Sequence, residues 1–575
     1  ITYPDPEKSV ESWERDDLDL VRKYKDELGR VTTFTRDSQH RVTRIDYLDP
    51  TFDPDSTFET FDYNTFGQVL THQMRNGGVE SNVYDTRGLR TSHTVSPDNQ
   101  IQYVTQYAYD SSDRLASVTD ARGNTTGFEY DERGLMKKLT NADTSFKEFN
   151  YDKFGNQTSV TDELGHTWIT NYDEFRRVTS IKDPLDRVTS YSYDLPGGIS
   201  GSSHANNQPT KITLPSGKAT EITYDVEWQK KSETVGAGTV DAATTKYDYD
   251  DVGNLIIVTD PRSKVSTMEY DNRDRRKVSV DPLDNRTEWT YDAVGNVLTA
   301  KRPDNGLTEN KYDKMNRMTK TTDPKIQVTQ MKYDNEDNLV SLTDAKNNKY
   351  NYNYDLLSRK KQMLYPDGSH EDYEWDAVGN LQKYTTRAGK IRTYTYDNRN
   401  RETLSDWSDT TPDVTTKYDE ASRVTLLSSS VSDLMYDYDD ASQMKSEAQQ
   451  IAGSTGGAKA VRYTYDADGN GFTLTYPDGT VLNYDYTKRN QLSTVRAGAS
   501  QPLATYTYDF NGNRITKTLT NGTSVGYTYD DANRMKNIDH KKGAASFAKF
   551  DYGYDSVDRR TFVKRETGLG DIFGY

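Results

Sequence analysis

Between Tyr249 and Asp397 a Tyr-Asp pair returns at one fixed spacing. The pairs are Tyr249-Asp250, Tyr270-Asp271, Tyr291-Asp292, Tyr312-Asp313, Tyr333-Asp334, Tyr354-Asp355, Trp375-Asp376 (Trp in place of Tyr) and Tyr396-Asp397, each 21 residues after the last. Self-similarity with a period of about 20–50 residues marks a repeat architecture, in which each unit buries its apolar surface against its neighbours. A chain built this way has little freedom to be anything else.

One unit shows what repeats. Asp271 to Asp292 reads D-N-R-D-R-R-K-V-S-V-D-P-L-D-N-R-T-E-W-T-Y-D. Asp271–Arg275 and Asp281–Asn285 cluster Asp, Asn and Pro, residues that favour turn dihedrals. Arg276–Val280 and Arg286–Tyr291 lie between them, alternate, and are rich in Val, Thr, Trp and Tyr, which is the pattern of strands. The unit is therefore one β-hairpin: two strands and two turns.

The second strand often carries aromatics two apart, as in Tyr247/Tyr249, Phe128/Tyr130, Trp289/Tyr291, Tyr394/Tyr396, Tyr463/Tyr465, Tyr506/Tyr508 and Tyr527/Tyr529. Residues i and i+2 share one face of a strand, so stacking the units predicts rows of rings along the sheet. The Asp after each Tyr opens a turn. Gly253-Asn254, Gly295-Asn296 and Gly379-Asn380 close it, with Gly at a position suited to positive φ and an Asn expected to point outward. Asn316-Arg317 fills the same slot with a residue that tolerates the left-handed region, while Ser358-Arg359 predicts a less demanding turn.

The register extends over nearly the whole chain, which predicts one domain, 1–575, of about 25 units and about 50 strands. Residues 1–62 are degenerate repeats. Tyr3-Pro4-Asp5 resembles the turns at Tyr365–Gly368 and Tyr476–Gly479, Asp26–Arg30 matches Asp162–His166, and Arg36-Asp37 takes the Tyr-Asp slot. From Tyr63 the pairs run at 63, 84, 109, 130, 151, 172 and 193, and after Asp397 at 418, 438, 465, 486, 508, 529 and 554. Three stretches hold surplus residues and are expected to be loop excursions: 195–209, 449–460 and 539–549. The chain begins at Ile1 in mid-repeat and stops at Phe573-Gly574-Tyr575, where another Tyr-Asp is due, so it reads as a fragment of a longer protein.

Hydrophobic residues make up only 33 %, charged residues 28 %, and the net charge is −17. That balance leans towards disorder, but the periodicity and 43 Tyr overrule it in favour of a thin sheet wetted on both faces. About 50 strands at roughly 4.8 Å and strands of about seven residues give a ribbon on the order of 240 Å by 24 Å, which must curl because sheets twist. The acidic charge argues against nucleic acid as a partner. No apolar run reaches the roughly 18 residues of a membrane span. The chain has no Cys, which removes disulfides, zinc–thiolate sites and cysteine nucleophiles.

Chemistry-bearing motifs are scarce. Tyr465–Gly471 resembles part of a calcium loop, but it lacks the final acidic ligand and occupies an ordinary repeat turn. The seven His are scattered, with no paired-His spacing, and no nucleophile elbow or phosphate loop is present. The sequence thus names no catalytic, cofactor-binding or metal residue, and predicts a non-enzyme without cofactors.

Recurring units such as Asp250–Asn254, Asp292–Asn296 and Asp376–Asn380 at this spacing resemble the YD-repeat (Rhs-repeat) family. The family includes bacterial Rhs polymorphic toxins, wall-associated contact-dependent toxins, toxin-complex B/C cocoons and teneurin-like YD shells. The resemblance covers essentially all of the chain. It implies an all-β fold, a β-hairpin strip spiralling into a hollow shell or barrel section. It further implies a secreted or cell-surface wall around a C-terminal polypeptide or toxin cargo. Toxin members usually follow the repeats with a D-P-x-G-L core segment. Gly568-Leu569-Gly570 lacks the preceding Asp-Pro, so no protease residues and no effector carry over. The alternative is a cell-surface adhesion or carbohydrate-binding module, for which the aromatic rows are the motive and no particular residue stands out.

Overall fold

The computed structural model describes residues 10–48, 57–193, 207–498, 501–565 and 571–572. These residues form 51 β-strands in one sheet and, among them, no helix. No helix is therefore long and apolar enough to cross a membrane. Every strand pairs antiparallel with the strand before it in the chain. Arg276–Val280, for example, pairs with Val265–Tyr270 on one side and Arg286–Tyr291 on the other. Both strands of that unit have the bounds its alternation and turn residues predict.

Strands that end in the Tyr of a repeat carry a register shift immediately before it, Val42–Tyr47 excepted. Opposite Glu129 and Tyr130 stand Lys138 and Met136, so Lys137 is an extra residue, a β-bulge. The same shift precedes Tyr151, Tyr172, Tyr270, Tyr291, Tyr312 and Trp375. Bulges increase local twist, and repetition at this period coils the strip.

The interior is a surface and not a solid core. Buried apolar residues among those described are few and mostly small: Leu48, Ala243, Val278, Ala293 and Ala504. The chain exposes 32549 Å², where a compact globule of its mass would expose roughly 21,000 Å². Contacts between distant parts show how the strip curls. The backbone N–H of Ser216 meets the carboxylate of Asp468, 252 residues on, the length of twelve 21-residue units. Twelve hairpins, about 24 strands at roughly 4.8 Å, give a circumference on the order of 115 Å and a diameter of roughly 37 Å. The strip is thus a spiral of about two turns around open space.

The surplus residues behave in two ways. Gln449–Ala460 is only partly a loop: strand Met444–Ile451 and strand Lys459–Tyr465 take up its two ends. Asp539–Lys549 is not an excursion. It is the tip of a long hairpin, Met535–Lys542 against Ala545–Tyr554. Extra residues there lengthen the ladder, because paired backbone satisfies more polar groups than a protruding loop would. The excursion at 195–209 falls outside the described residues apart from 207–209.

Candidate functional site

The parts that repeat are the turns, and there are two rows of them. Tyr-Asp turns lie along one edge of the strip. Return turns, such as Asp281–Asn285, lie along the other.

A Tyr-Asp turn is closed by its own Asp. In Asp292–Asn296 the Asp292 N–H donates to the Asn296 carbonyl at 2.9 Å and the Gly295 N–H donates to the Asp292 carbonyl at 3.2 Å. The Asp292 carboxylate accepts from the N–H groups of Val294 and Asn296, and from the Asn296 side-chain amide at 2.8 Å. Asn296 therefore folds back onto the turn and is half-buried, contrary to the outward Asn expected. Gly253, Gly295 and Gly379 have φ of 96°, 98° and 92°, as the positive-φ expectation requires. Ser358, however, sits at φ 58° in the same closed turn, so the Ser slot is no less demanding. The Asp355 carboxylate accepts from Leu357 N–H, Arg359 N–H and Arg359 Nε, and these bonds offset the left-handed cost.

The Tyr of each pair shares one task. Its hydroxyl donates to a main-chain carbonyl at the start of an earlier strand, commonly 15 residues back. Tyr151 reaches Met136, the residue at the bulge, at 2.9 Å, and Tyr312 reaches Val297 at 3.0 Å. Trp375 makes the same bond through Nε1 to Lys360 at 2.9 Å, which explains why Trp can stand in. Burial pushes the phenols of Tyr151 and Tyr312 up. For Tyr396, burial together with the charges of Glu402 and Asp376 takes it to about 12. The rings meet cations more than one another: Arg275 lies over Tyr291, Arg276 over Trp289 and Arg317 over Tyr333, at 4.8–5.0 Å. The expected rows of rings are thus interleaved with guanidinium groups, although Tyr373 and Tyr384 do touch at 5.2 Å.

Neighbouring Tyr-Asp turns are also tied side to side. The Arg317 guanidinium donates to the Asp334 carbonyl at 2.6 Å. Where the turn ends in Asn, its amide reaches the left-handed residue of the next turn: Asn254 to Asp274, Asn296 to Asn316, Asn338 to Ser358 and Asn513 to Asn533, at 2.8–3.0 Å.

The seam between successive turns of the spiral is the feature the sequence does not announce. There the return-turn row of the first turn meets the Tyr-Asp row of the second. One contact recurs, a return-turn cation donating to the Asn oxygen in the left-handed slot. Arg30 meets Asn316 at 2.8 Å, Arg122 meets Asn400 at 2.7 Å, Lys218 meets Asn490 at 2.6 Å and Arg262 meets Asn533 at 2.8 Å. Further contacts fill the gaps, those of Arg399 in the opposite sense. Arg399 donates to Glu163 at 3.0 Å and Ser145 at 3.1 Å, and Asp468 accepts from Ser216 and pairs with Lys218 at 2.8 Å. Glu163 and Asp468 have side chains only 2 % and 0 % exposed. Burial alone would raise the Asp468 carboxyl, but the donors of Lys218 and Ser216 outweigh it and hold it below the usual range. Asp468 belongs to the stretch that resembles a calcium loop, so the structure gives that carboxylate to the seam. Among the described residues one backbone bond crosses, from Leu356 N–H to the Pro97 carbonyl. The joint is otherwise made of side chains. Its partners stand 236–286 residues apart, beyond any local pattern. The visible trace is Asn in some left-handed slots and a basic residue in some return turns.

The geometry is that of a curled strip whose successive turns are joined side to side. The family model described as RHS Repeat matches residues 109–145, 151–186 and 375–411. Among curated proteins, none matches the sequence. The fold is similar to the crystal structure of TcdB2-TccC3-Cdc42, with TM-score 0.74 and 11 % identity over 96 % of this chain and 41 % of that one. It is likewise similar to TcdB2-TccC3 without its hypervariable C-terminal region, with TM-score 0.72 and 11 % identity over 95 % and 41 %. Similarity to the Tc holotoxin pore of Photorhabdus luminescens has TM-score 0.57 and 13 % identity over 97 % and 34 %. The chain spans about two-fifths of the length of the first of these structures.

Proposed function

We propose that this chain, which carries RHS repeats and shares the spiral-shell fold of the TcdB2-TccC3 structures, is the wall of a container. Its work is to keep an enclosed polypeptide apart from the solution, and that work needs no catalytic group. The enclosed polypeptide is a C-terminal segment of the full-length protein, such as a toxin, held by a protein that is secreted or displayed at the cell surface. The observation that carries this reading is the seam. A strip that only curled would leave a helical slot between its turns. Here Arg30, Arg122, Lys218, Arg262 and Arg399 close that slot along its length.

The adhesion or carbohydrate-binding alternative has less support. The hydroxyls of the repeat tyrosines are spent on main-chain carbonyls, and many rings are capped by Arg. Limited proteolysis of the full-length protein tests the container reading. Cleavage is expected first in exposed turns such as 452–458, with the enclosed segment protected until the wall is denatured. A segment digested at once under native conditions rules the reading out.

A further inference from the structure

Within the seam, the contact made by Lys218 differs in chemistry from its neighbours. Arg30, Arg122 and Arg262 reach the Asn of the left-handed slot with a guanidinium, which stays protonated and is no nucleophile. Lys218 reaches Asn490 with a primary amine, its Nζ 2.6 Å from Oδ1. A carbonyl bond is about 1.23 Å long, so Nζ lies within about 3.8 Å of Asn490 Cγ. A near-attack arrangement needs roughly 3–3.5 Å, a small side-chain adjustment away.

The surroundings supply what an attack on that carbon needs. Asp468 Oδ2 stands 2.8 Å from Lys218 Nζ, its side chain fully buried and that of Lys218 only 11 % exposed. Asp468 fills the position two places after the Asp of its turn, where other turns facing the seam hold Val294, Met315, Leu357 and Val378. Ser216 fixes its carboxylate through the backbone N–H at 2.9 Å and the hydroxyl at 2.6 Å. The Asn470 side-chain amide donates to Asn490 Oδ1 at 3.1 Å. An amine, a carboxylate and a hydrogen-bond donor thus converge on one side-chain amide.

We propose that Lys218 and Asn490 join covalently, forming an isopeptide bond that staples one turn of the spiral to the next. Asp468 takes a proton from the Lys218 ammonium, and the freed amine adds to Asn490 Cγ. Asn470 steadies the charge that gathers on Oδ1. The Cγ–Nδ2 bond then breaks as Asp468 returns the proton to the leaving nitrogen. The joined nitrogen gives up a second proton, which departs with the ammonia. An ammonium and a primary amide thus become a secondary amide and an ammonium ion, and Asp468 ends as the carboxylate it began. Where water is excluded the neutral pair loses less solvation than the ion pair, so burial eases the first proton transfer. The ion pair is the resting state, which makes the reaction a slow, single event in each molecule. The bond locks the seam whatever the strip encloses.

Tryptic digestion and mass spectrometry of the 575-residue chain, after prolonged incubation in the folded state, test this. The expected product is peptide 212–230, uncleaved after Lys218, joined to peptide 490–496 with the loss of one ammonia. Succinimide formation at Asn-Gly also loses ammonia, so the joined peptide decides and the intact mass alone does not. On a denaturing gel the native chain should run faster than Lys218→Arg, because a bridge spanning 272 residues keeps the unfolded chain compact. Lys218→Arg keeps the charge and the contact, as Arg262 does on Asn533, so far-UV circular dichroism should be unchanged while no joined peptide forms. Asp468→Asn should slow the joining by about a hundredfold or more, the usual worth of a positioned proton carrier. If Asp468→Asn disturbs the fold, the comparison of the native chain with Lys218→Arg decides by itself. A folded native chain that yields only separate peptides overturns the proposal. So does a joined peptide in Lys218→Arg, or a folded Asp468→Asn chain that joins at the native rate.

Discussion

Two joints hold this molecule together, and they differ in kind. Within the strip, each strand is tied to the next by a backbone ladder, as Arg286–Tyr291 is to Val297–Lys301. Across the seam the ties are side chains, with the Leu356–Pro97 bond as the backbone exception. The strip joint depends on main-chain groups every residue carries, so composition can drift while the ladder stays. The seam joint depends on named residues such as Arg399 and Glu163. The container proposed above would need both: a strip that does not come apart, and a seam whose strength side chains can tune.

Alkali should separate the two joints most widely. The tyrosine hydroxyls must keep their protons to donate. Burial raises the pKa of Tyr291 and Tyr312 in the folded chain, so their contribution is complete below about pH 10, the ordinary value. It is lost as pH rises through the raised values, near 12 for Tyr396. Arginine stays charged throughout. The strip is therefore expected to unfold in step with tyrosinate absorbance, while the guanidinium contacts of the seam persist until the strands part. Acid should not discriminate, because carboxylates serve both joints. Asp468 in the seam and Asp250 in a turn are both held below the usual range. Burial opposes this in each case, and hydrogen bonds outweigh it. Their contribution is complete above about pH 4 and is lost as pH falls below it. Loss of the far-UV strand signal well below pH 10 would break the contrast.

Arg399→Ala sharpens it from the other side. It leaves Glu163, whose side chain is 2 % exposed, without its guanidinium partner. Breaking a buried pair costs about 3–5 kcal/mol, and the remaining neighbours Asn141 and Lys147 place the expected value at the lower end. The loss should appear as protease cleavage in the turns around Asp143 and Glu163, with the strand signal intact. Global unfolding without prior local cleavage would show that the seam is no separate joint.

Gly295→Val acts on a strip turn alone. The glycine has φ 98°, and a Cβ built there meets nothing within 4 Å, so the cost is backbone strain of about 1–3 kcal/mol, read from denaturant unfolding. Gly295→Asn should cost less, since Asn316 holds φ 64° in the corresponding turn.

The strip was legible in the sequence and the seam was not, for a physical reason. Hairpin turns and alternation are local, and the 21-residue period exposes them: the strands around Asp281 have the bounds their residues predict. The Ser358 turn was misjudged because the residue was weighed alone, without the hydrogen bonds that its Asp355 supplies. The tip at Asp539–Lys549 was misjudged because surplus residues do not reveal whether they loop or pair. The seam depends on the curvature of about 24 strands, a sum of small twists that no residue encodes by itself. Arg122 and Asn400 look like ordinary surface residues until that sum brings them together.

The smallest effect tests what the tyrosine is for. If the aromatic ring were the essential part of the Tyr-Asp pair, Tyr312→Phe would be nearly silent. The structure assigns the pair's recurring geometry to the hydroxyl, which donates 3.0 Å to the Val297 carbonyl beside the bulge. Tyr312→Phe keeps the ring and removes the donor, so it should cost about 0.5–1.5 kcal/mol, the net worth of one such bond. Trp375 supplies the internal control, because its indole N–H makes the same bond to Lys360. Trp375→Tyr restores a donor in a slot that other units fill with Tyr, and should change stability by less than Trp375→Phe, which has none. Denaturant unfolding of the three variants ranks them. Equal losses for Trp375→Tyr and Trp375→Phe would give the role to ring volume, and the hydrogen bond between units would then be incidental to the strip.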